Sequence, residues 1–192
     1  MLDKIKEIFF RFTFLHPSDL LQIASIIKPK SLNKGEFLIR EGEYCYQIAI
    51  LVKGLLRHYH IDNDGNEKTV LFVCEKNISV SAFTIFMNKP SPEYVVALED
   101  TIVLLADNRE FERIAKDNIR LLNLQNQFLK DAIISDIEQI KSLTVYTPEE
   151  RFQNFCKTFP KLEQRIRQKY LASYLGITPT SLSRMKARIN YL

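Results

Sequence analysis

Residues 168–185 read Gln168-Lys169-Tyr170-Leu171-Ala172-Ser173-Tyr174-Leu175-Gly176-Ile177-Thr178-Pro179-Thr180-Ser181-Leu182-Ser183-Arg184-Met185. This stretch predicts two short helices joined by a tight turn. Gly176 stands where the turn needs a left-handed residue, and Ala172 is small where the two helices approach closely. Thr178 followed by Pro179 predicts an N-cap with proline at the first position of the second helix. A helix-turn-helix of this kind lays its second helix in the major groove of DNA.

An ordinary helical hairpin would also have a glycine turn. It would also show apolar spacing, but agreement at the alanine, the glycine and five apolar positions together favours a helix-turn-helix. The five apolar residues, which fall on the facing sides of the two helices, are Leu171, Leu175, Ile177, Leu182 and Met185.

The basic charge of the chain is concentrated in the same region. Residues 161–192 contain seven basic residues and one acidic residue, Glu163, which gives a net charge of +6. The 192-residue chain as a whole carries +4, so residues 1–160 sum to −2. A basic segment around a helix-turn-helix is typical of a DNA-contacting module, and double-stranded DNA is therefore the predicted partner.

Most of the residues expected to contact DNA lie on the second helix or just before it, and Lys169 lies on the first helix. Arg184 faces away from the apolar residues of the second helix, where an arginine can donate two hydrogen bonds to O6 and N7 of guanine. Lys186 and Arg188 suit phosphates, which position a protein without specifying sequence. The full predicted set comprises Lys169, Thr178, Thr180, Ser181, Ser183, Arg184, Lys186 and Arg188.

The region from residue 31 to residue 106 has the pattern of short β-strands. Segments rich in β-branched and aromatic residues are separated by turn signals such as Asp62-Asn63-Asp64-Gly65. Strands at this spacing predict a jelly-roll, also called a double-stranded β-helix. The residues before it, 3–28, read as helical, with Pro17 opening a second helix.

A helical pattern follows the strands and predicts a long central helix over residues 109–143. Its apolar stripe consists of Ile119, Leu122, Asn126, Leu129, Ile133, Ile137 and Ile140, with Asn126 as the one polar position. A second face carries Leu121, Leu124 and Phe128. A helix that is apolar on two sides must bury both. We therefore expect one face to lie on the β-domain and the stripe to pair with the same helix of a second chain, although both faces could also pack within one subunit.

A break between residues 143 and 147 is the predicted domain boundary. Thr147-Pro148-Glu149-Glu150 then starts a new helix through an N-cap, a proline at the first position and a capping box. The sequence thus predicts an α+β protein with a jelly-roll domain in residues 1–108, a dimerisation helix in 109–143 and a helical DNA-binding domain in 147–192.

Composition excludes several other classes of protein. No stretch approaches the roughly 20 apolar residues that span a bilayer, and the N-terminus lacks the apolar core of a signal peptide, so no membrane association is expected. Cys45, Cys74 and Cys156 are few and far apart, which argues against a disulfide framework or a zinc site. The expected compartment is the reducing cytoplasm.

A β-roll, a long central helix and a C-terminal helix-turn-helix together resemble the Crp/Fnr family of transcription regulators. The segment from Tyr170 to Arg184 is the most specific part of the resemblance, which covers nearly the whole chain. Lys34-Gly35-Glu36, Glu41-Gly42-Glu43 and Val52-Lys53-Gly54 are similar to the glycine turns of the family's β-roll. The resemblance implies a homodimer that binds a roughly palindromic operator and recruits or blocks RNA polymerase. It also implies that Arg184, which matches the family's base-reading arginine, reads a base.

The chain also departs from the family pattern. Relatives that bind cyclic nucleotides carry a glutamate and an arginine that hold the ligand, whereas residues 77–87 contain neither. We therefore expect no cyclic nucleotide and predict no cofactor, with any effector unknown. The cysteine cluster of iron–sulfur relatives is absent from the N-terminus. Only Asn190-Tyr191-Leu192 follow the recognition helix, so the family's two-stranded wing is expected to be missing or reduced.

Three alternatives stay open at this point. A cyclic nucleotide or another small ligand could control the regulator, and haem could be ligated by His58, His60 or Cys74. A cupin-like metal protein would use His58 and His60 on one face of a strand, but a third imidazole is lacking, so we expect two surface histidines, no metal and no enzyme. The roll could also be a ligand-free scaffold. In that case Phe72, Phe83, Phe86 and Tyr94, which could otherwise line an apolar cavity, would fill the core, and this is what we expect.

Overall fold

The computed structural model describes residues 2–189. The predicted remnant of a wing, residues 190–192, lies outside them. In chain order the elements are α1 (Leu2–Phe9), α2 (Pro17–Ile26), β1 (Ile27–Leu32), β2 (Phe37–Ile39), β3 (Gln47–Lys53), β4 (Leu56–Ile61), β5 (Glu67–Val73), β6 (Ile78–Ser79), α3 (Ala82–Met87), β7 (Tyr94–Ala97), β8 (Thr101–Asp107), α4 (Asn108–Ala115), α5 (Ile119–Val145), α6 (Pro148–Thr158), α7 (Leu162–Arg165), α8 (Gln168–Tyr174) and α9 (Pro179–Ile189).

The strands form a jelly-roll of two four-stranded sheets within the described part of the chain. The strand orders are β1-β8-β3-β6 and β2-β7-β4-β5, and both β1 and β3 pair antiparallel with β8. Residues from both sheets, among them Leu51, Val95 and Val103, share one apolar core. The α+β class and the jelly-roll predicted from the sequence are thereby confirmed.

A second core joins the N-terminal helices to the outer face of the roll. Ile5, Phe9 and Ile23 pack there with Leu121 and Leu124 at the start of α5. The predicted contact of one face of the central helix with the β-domain is therefore confirmed.

The chain forms two compact units. The first comprises the residues up to His58 together with Phe72–Lys130, and the second comprises Tyr59–Leu71 together with the residues from Asp131 onward. This division follows tertiary contacts, and it differs from the predicted boundaries at 108 and 143–147, which follow changes in secondary-structure pattern.

The prediction of one continuous helix over 109–143 is wrong, because α4 and α5 are separate helices. Asn118 causes the break. Its backbone N–H donates to the carbonyl of Ala115 at 3.0 Å, and its side-chain oxygen accepts from the backbone N–H of Arg120 at 3.1 Å, as an N-cap does.

Two further expectations about the roll are wrong. Helical structure was predicted through residue 28, whereas Ile27 begins β1. Of the four aromatic residues expected in the core, Phe72 is buried, Tyr94 is half-buried against Phe37, and Phe83 and Phe86 are exposed on α3.

Asp19 links α2 to the beginning of α5 through a buried carboxylate. It is 1% exposed and accepts hydrogen bonds from Arg120 Nε at 2.6 Å, from Asn118 Nδ2 at 2.8 Å and from the backbone N–H of His16 at 2.8 Å. The bonds from Arg120 above all hold the pKa of Asp19 well below its ordinary value, although burial acts in the opposite direction. The ionised carboxylate therefore stabilises the fold.

Asp19→Asn is expected to lower the free energy of unfolding at neutral pH by about 2–3 kcal/mol, because it leaves Arg120 without its counter-ion. We place the loss below the range for fully buried pairs because the Arg120 side chain is 35% exposed. Urea unfolding measures it. Glu110→Gln, which breaks the exposed pair with Arg113, is the matched control and should cost less than about 1 kcal/mol.

Asp19→Asn should also make the free energy of unfolding less sensitive to acid. A carboxyl whose pKa is lower in the folded state contributes stability above its unfolded pKa of about 4, and this contribution is lost as the pH falls through the folded pKa. The wild-type and Asp19→Asn proteins should therefore converge in stability below about pH 4. A constant difference from pH 7 to pH 2 would contradict the assignment.

Candidate nucleic-acid interface

Within the second unit, α6 begins with a complete capping box. The Thr147 hydroxyl accepts from the Glu150 backbone N–H at 3.3 Å, and the Glu150 carboxylate accepts from the Thr147 backbone N–H at 2.8 Å. Pro148 occupies the first helical position. The start signal predicted from the sequence is therefore confirmed.

The turn between α8 and α9 is a Schellman motif. The N–H of Ile177 donates to the carbonyl of Ala172 at 3.0 Å, and the N–H of Gly176 donates to the carbonyl of Ser173 at 3.1 Å. Gly176 has φ +67°, as the motif requires. Thr178 then caps α9, because its hydroxyl accepts from the backbone N–H of Ser181 at 3.1 Å.

The apolar residues predicted to face inward hold the two helices together. Leu171, Leu175, Leu182 and Met185 are buried, Ala172 is fully buried at the helix contact, and Ile177 is half-buried. Phe152 and Phe155 of α6 are buried in the same unit. The packing of α8 and α9 thus fixes which side of α9 remains outside.

Gly176→Ala is expected to lower the free energy of unfolding of this unit by about 1–2 kcal/mol, because alanine is strained at positive φ. The added Cβ would also lie 3.3 Å from a methyl group of Leu143, which is a tight contact. Thermal unfolding followed by circular dichroism measures the loss. Gly65→Ala, at a positive-φ turn with open space around it, isolates the backbone contribution. A Gly176→Ala protein as stable as the wild type would contradict this account of the turn.

The outer face of α9 carries the predicted base-reading residue. Ser181, Arg184, Ala187 and Arg188 lie together on this face and line a shallow surface depression. Arg184 is exposed and forms no ion pair or side-chain hydrogen bond with the described residues. Its guanidinium is thus available to an external acceptor.

The other predicted DNA contacts lie near this face or beside it. Thr178, Thr180, Ser181 and Ser183 are exposed, although the hydroxyls of Thr178 and Ser181 are also engaged with each other at 2.9 Å. Lys169 of α8 is exposed, with its ammonium 4.8 Å from the ring centroid of Tyr170.

Two of the predicted phosphate contacts have carboxylate partners that the sequence pattern did not indicate. Lys186 is half-buried, lies over the ring of Phe152 and pairs with Glu163 at 2.9 Å. Arg188 pairs with Glu149 at 2.8 Å, but both side chains are exposed. A surface pair of that kind is weak, so Arg188 can exchange Glu149 for a phosphate. The half-buried pair of Lys186 with Glu163 costs more free energy to break.

The predicted dimerisation stripe is largely exposed along α5. Ile119, Ile133, Ile137 and Ile140 are between 55% and 65% exposed, and Asn126 is exposed. Leu129 is half-buried, whereas Leu122 packs partly against the N-terminal core. Ile134, Leu143 and Val145 extend the exposed apolar surface. Exposed apolar side chains in this number on one helix are typical of an interaction surface.

A contact that sequence reasoning missed holds the hairpin of β4 and β5 against α8. The Ser173 hydroxyl donates to the carbonyl of Glu67 at 3.2 Å and accepts from the backbone N–H of Thr69 at 2.9 Å. These residues are about 105 positions apart, and no local pattern in the sequence signals such a pair.

The expectation that His58 and His60 are both surface residues is wrong. His58 is 3% exposed, with Nδ1 3.2 Å from Glu93 and Nε2 2.8 Å from Ser79, while His60 is half-buried. Both faces of β4 are covered at this point, so neither His58 nor His60 is exposed, whichever face of the strand it lies on. No group of three or more metal-ligating side chains occurs among the described residues.

Comparisons with known proteins agree with this geometry. A cyclic nucleotide-binding domain model matches residues 29–118. The anaerobic regulatory protein of Aggregatibacter actinomycetemcomitans is 24% identical over 98% of this chain and 77% of its own length. The fumarate and nitrate reduction regulatory protein of Vibrio cholerae is 24% identical over 96% and 77%. FixK2 from Bradyrhizobium japonicum has the same fold, with a TM-score of 0.77, 18% identity and coverage of 86% of this chain and 85% of that one.

Within residues 2–189, no helix combines the length and the apolar character needed to cross a bilayer.

Proposed function

We propose that the chain is a DNA-binding transcription regulator of the Crp/Fnr type with a cyclic-nucleotide-binding-like sensor domain, a proposal supported by its similarity to that domain and to the anaerobic regulatory proteins. It binds a palindromic operator as a homodimer, with one α9 in the major groove of each half-site. The exposed Arg184, which has no partner among the described residues, is the observation that carries the proposal.

The proposed DNA contacts are of two kinds, those that recognise bases and those that bind phosphates. Arg184 donates to O6 and N7 of a guanine, and Thr180 and Ser181 contact base edges or phosphates near the beginning of the helix. Thr178 and Ser183 border the same face. Lys169 and Arg188 bind phosphates, and Lys186 contributes less because Glu163 already neutralises it.

The homodimer forms through the exposed stripe of α5. Two copies related by a two-fold axis bring Ile133, Ile137 and Ile140 of each chain together, and Asn126 fixes the register. A two-fold dimer reads two half-sites about one helical turn, or about 10 base pairs, apart.

We propose that the sensor domain binds no cyclic nucleotide in the usual way. Residues 77–87 supply neither the arginine nor the glutamate with which cyclic-nucleotide-binding relatives hold the ligand. Glu93, which pairs with His58, places a carboxylate just before β7. Isothermal titration with cyclic AMP and cyclic GMP should give no heat of binding. Micromolar binding of either would contradict this part of the proposal.

The relatives are regulators, and we propose that this chain too acts without catalysis and in the cytoplasm, where it meets DNA. RNA polymerase is the partner through which an operator-bound dimer would change transcription. Reconstituted transcription from an operator-bearing promoter would reveal activation or repression.

Selection of bound duplexes from a random pool tests the proposed function. The expected product is an inverted repeat with one guanine per half-site that tolerates no substitution. Enrichment of a single unrepeated site, or no enrichment, would contradict the proposal.

A further inference from the structure

A cleft in the second unit lies between the last three turns of α5, α6 and the end of α8. Its volume of about 560 Å³ falls within the range of small-molecule sites, roughly 300–1,000 Å³. Its walls include four aromatic rings, those of Tyr146, Phe155, Phe159 and Tyr174. Phe155 contacts Phe159 and Tyr174 with ring centroids 5.4 and 5.6 Å apart, so these three rings form a continuous aromatic wall.

One cation in this wall lacks a counter-ion. Arg151 is half-buried, and its Nη1 donates to the backbone carbonyl of Tyr146 at 2.9 Å. Its Nε is shielded from solvent and has no acceptor among the described residues, which also provide no carboxylate partner for the guanidinium. A cation partly withdrawn from water in this way gains from an anion brought beside it.

The other charges around the cleft do not cancel Arg151. Lys157 lines the cleft and adds a second positive charge. Glu138 also lines it, but its carboxylate lies 3.6 Å from the ammonium of Lys141. The cleft therefore offers aromatic surface together with a net positive charge.

The predicted dimer leaves this cleft open. Ser135, Gln139 and Ser142 follow one another at spacings of four and three residues and share one face of α5, and Tyr146 directly follows the helix. Ile133, Ile137 and Ile140 lie about 160° around the helix from that face, at about 100° per residue. A partner helix on the isoleucines would not cover the cleft.

From this geometry we propose that the cleft binds a planar aromatic carboxylate, whose ring stacks on the aromatic wall and whose carboxylate pairs with Arg151. The occupant contacts both α5 and the end of α8, which Gln139 already joins by a hydrogen bond to the carbonyl of Tyr174 at 3.4 Å. Occupancy therefore changes operator affinity, a consequence that rests on the proposed function.

Titration of the full chain with 2-naphthoate tests the site directly, without DNA. We expect saturable binding that perturbs the ring resonances of Tyr146 and Tyr174. The neutral 2-naphthamide should bind about tenfold more weakly, because it cannot form the charged pair. Equal binding of the acid and the amide, or no binding of either, would overturn the proposal.

Two variants separate charge from shape. Arg151→Gln should weaken 2-naphthoate about tenfold and leave 2-naphthamide nearly unchanged. Ser142→Phe fills the cleft without altering charge and should abolish binding of both. Lys28→Gln, at an exposed position on β1, is the charge-matched control and should bind like the wild type. Unchanged 2-naphthoate binding by folded Arg151→Gln or Ser142→Phe protein would contradict the site.

Operator affinity is then measured with and without saturating 2-naphthoate. We expect a change of about fivefold in the wild type and none in Ser142→Phe, as for a typical allosteric coupling. Binding of 2-naphthoate with unchanged operator affinity overturns the regulatory role of the cleft. Failure of the chain to bind any operator would instead contradict the proposed function, while the titration without DNA still decides whether the site exists.

Discussion

Ile137→Glu is expected to convert the proposed homodimer to a monomer and to lower operator affinity by a factor of about 100 or more, because each chain would then bind its half-site without a second chain tethered to it. Ile137 is 55% exposed at the middle of the isoleucine run on α5. In the proposed homodimer, two glutamates would meet across the two-fold axis in an apolar seam, and neither would have a counter-ion. Sedimentation velocity measures the assembly, and fluorescence anisotropy measures operator affinity.

The matched control for this substitution is Ala132→Glu, which adds the same charge to the same helix away from the isoleucine run and outside the lining of the cleft. Ala132 is exposed, so the change should leave both the dimer and operator binding intact. A dimeric Ile137→Glu protein would show that the isoleucine run is not the interface.

Arg184→Ala should reduce the discrimination between the operator and a duplex in which the contacted guanine is replaced in both half-sites. The expected reduction is about 2–6 kcal/mol, since a bidentate contact worth about 1–3 kcal/mol is lost in each half-site. Arg184 is exposed on α9, so its truncation should not change the stability of the fold. Competition binding with single-position operator variants measures the loss.

Two control variants distinguish recognition of the base from binding of phosphates. Arg184→Lys keeps the charge but loses the two-pronged geometry, and it should recover only part of the discrimination. Lys169→Ala should weaken all duplexes alike and lower the slope of affinity against salt by about one per chain. Sequence preference that survives in Arg184→Ala would contradict the role assigned to this residue.

Local signals in the sequence were sufficient to predict the helix-turn-helix. Thr178 and Pro179 mark the start of α9, Gly176 marks the turn, and Thr147 marks α6. Each is a short-range preference of the backbone or of a capping side chain, which acts over three or four residues and can be recognised without tertiary structure.

The predictions that failed depend on contacts that the local pattern does not contain. β1 includes Pro29 and has only Ile27 and Leu32 buried, a weak pattern that suits a strand at the edge of a sheet. His58 was expected on the exposed face of a surface strand, but β4 is covered on both faces there. Alternation exposes one face only when that face is solvated.

The positions of the exposed residues of the candidate site could be predicted from the sequence, but the ion-pair partners of its charged residues could not. The outward position of Arg184 follows from the spacing of the buried Leu182 and Met185 on α9. The partner of Lys186 is Glu163, 23 residues away, and Arg151 in the cleft has no carboxylate partner among the described residues. Their environments depend on how α6, α7 and α9 pack, which composition and spacing do not specify.

A double-mutant cycle between protein and DNA tests most directly whether Arg184 reads a guanine in the major groove. Replacing that guanine of the selected operator by 7-deazaguanine removes the N7 acceptor and leaves base pairing intact. The expected result is a loss of affinity of about tenfold for the wild type and none for Arg184→Ala, because the deleted hydrogen bond is the same one. An equal loss for both proteins, or no loss for the wild type, would contradict the placement of α9 in the groove.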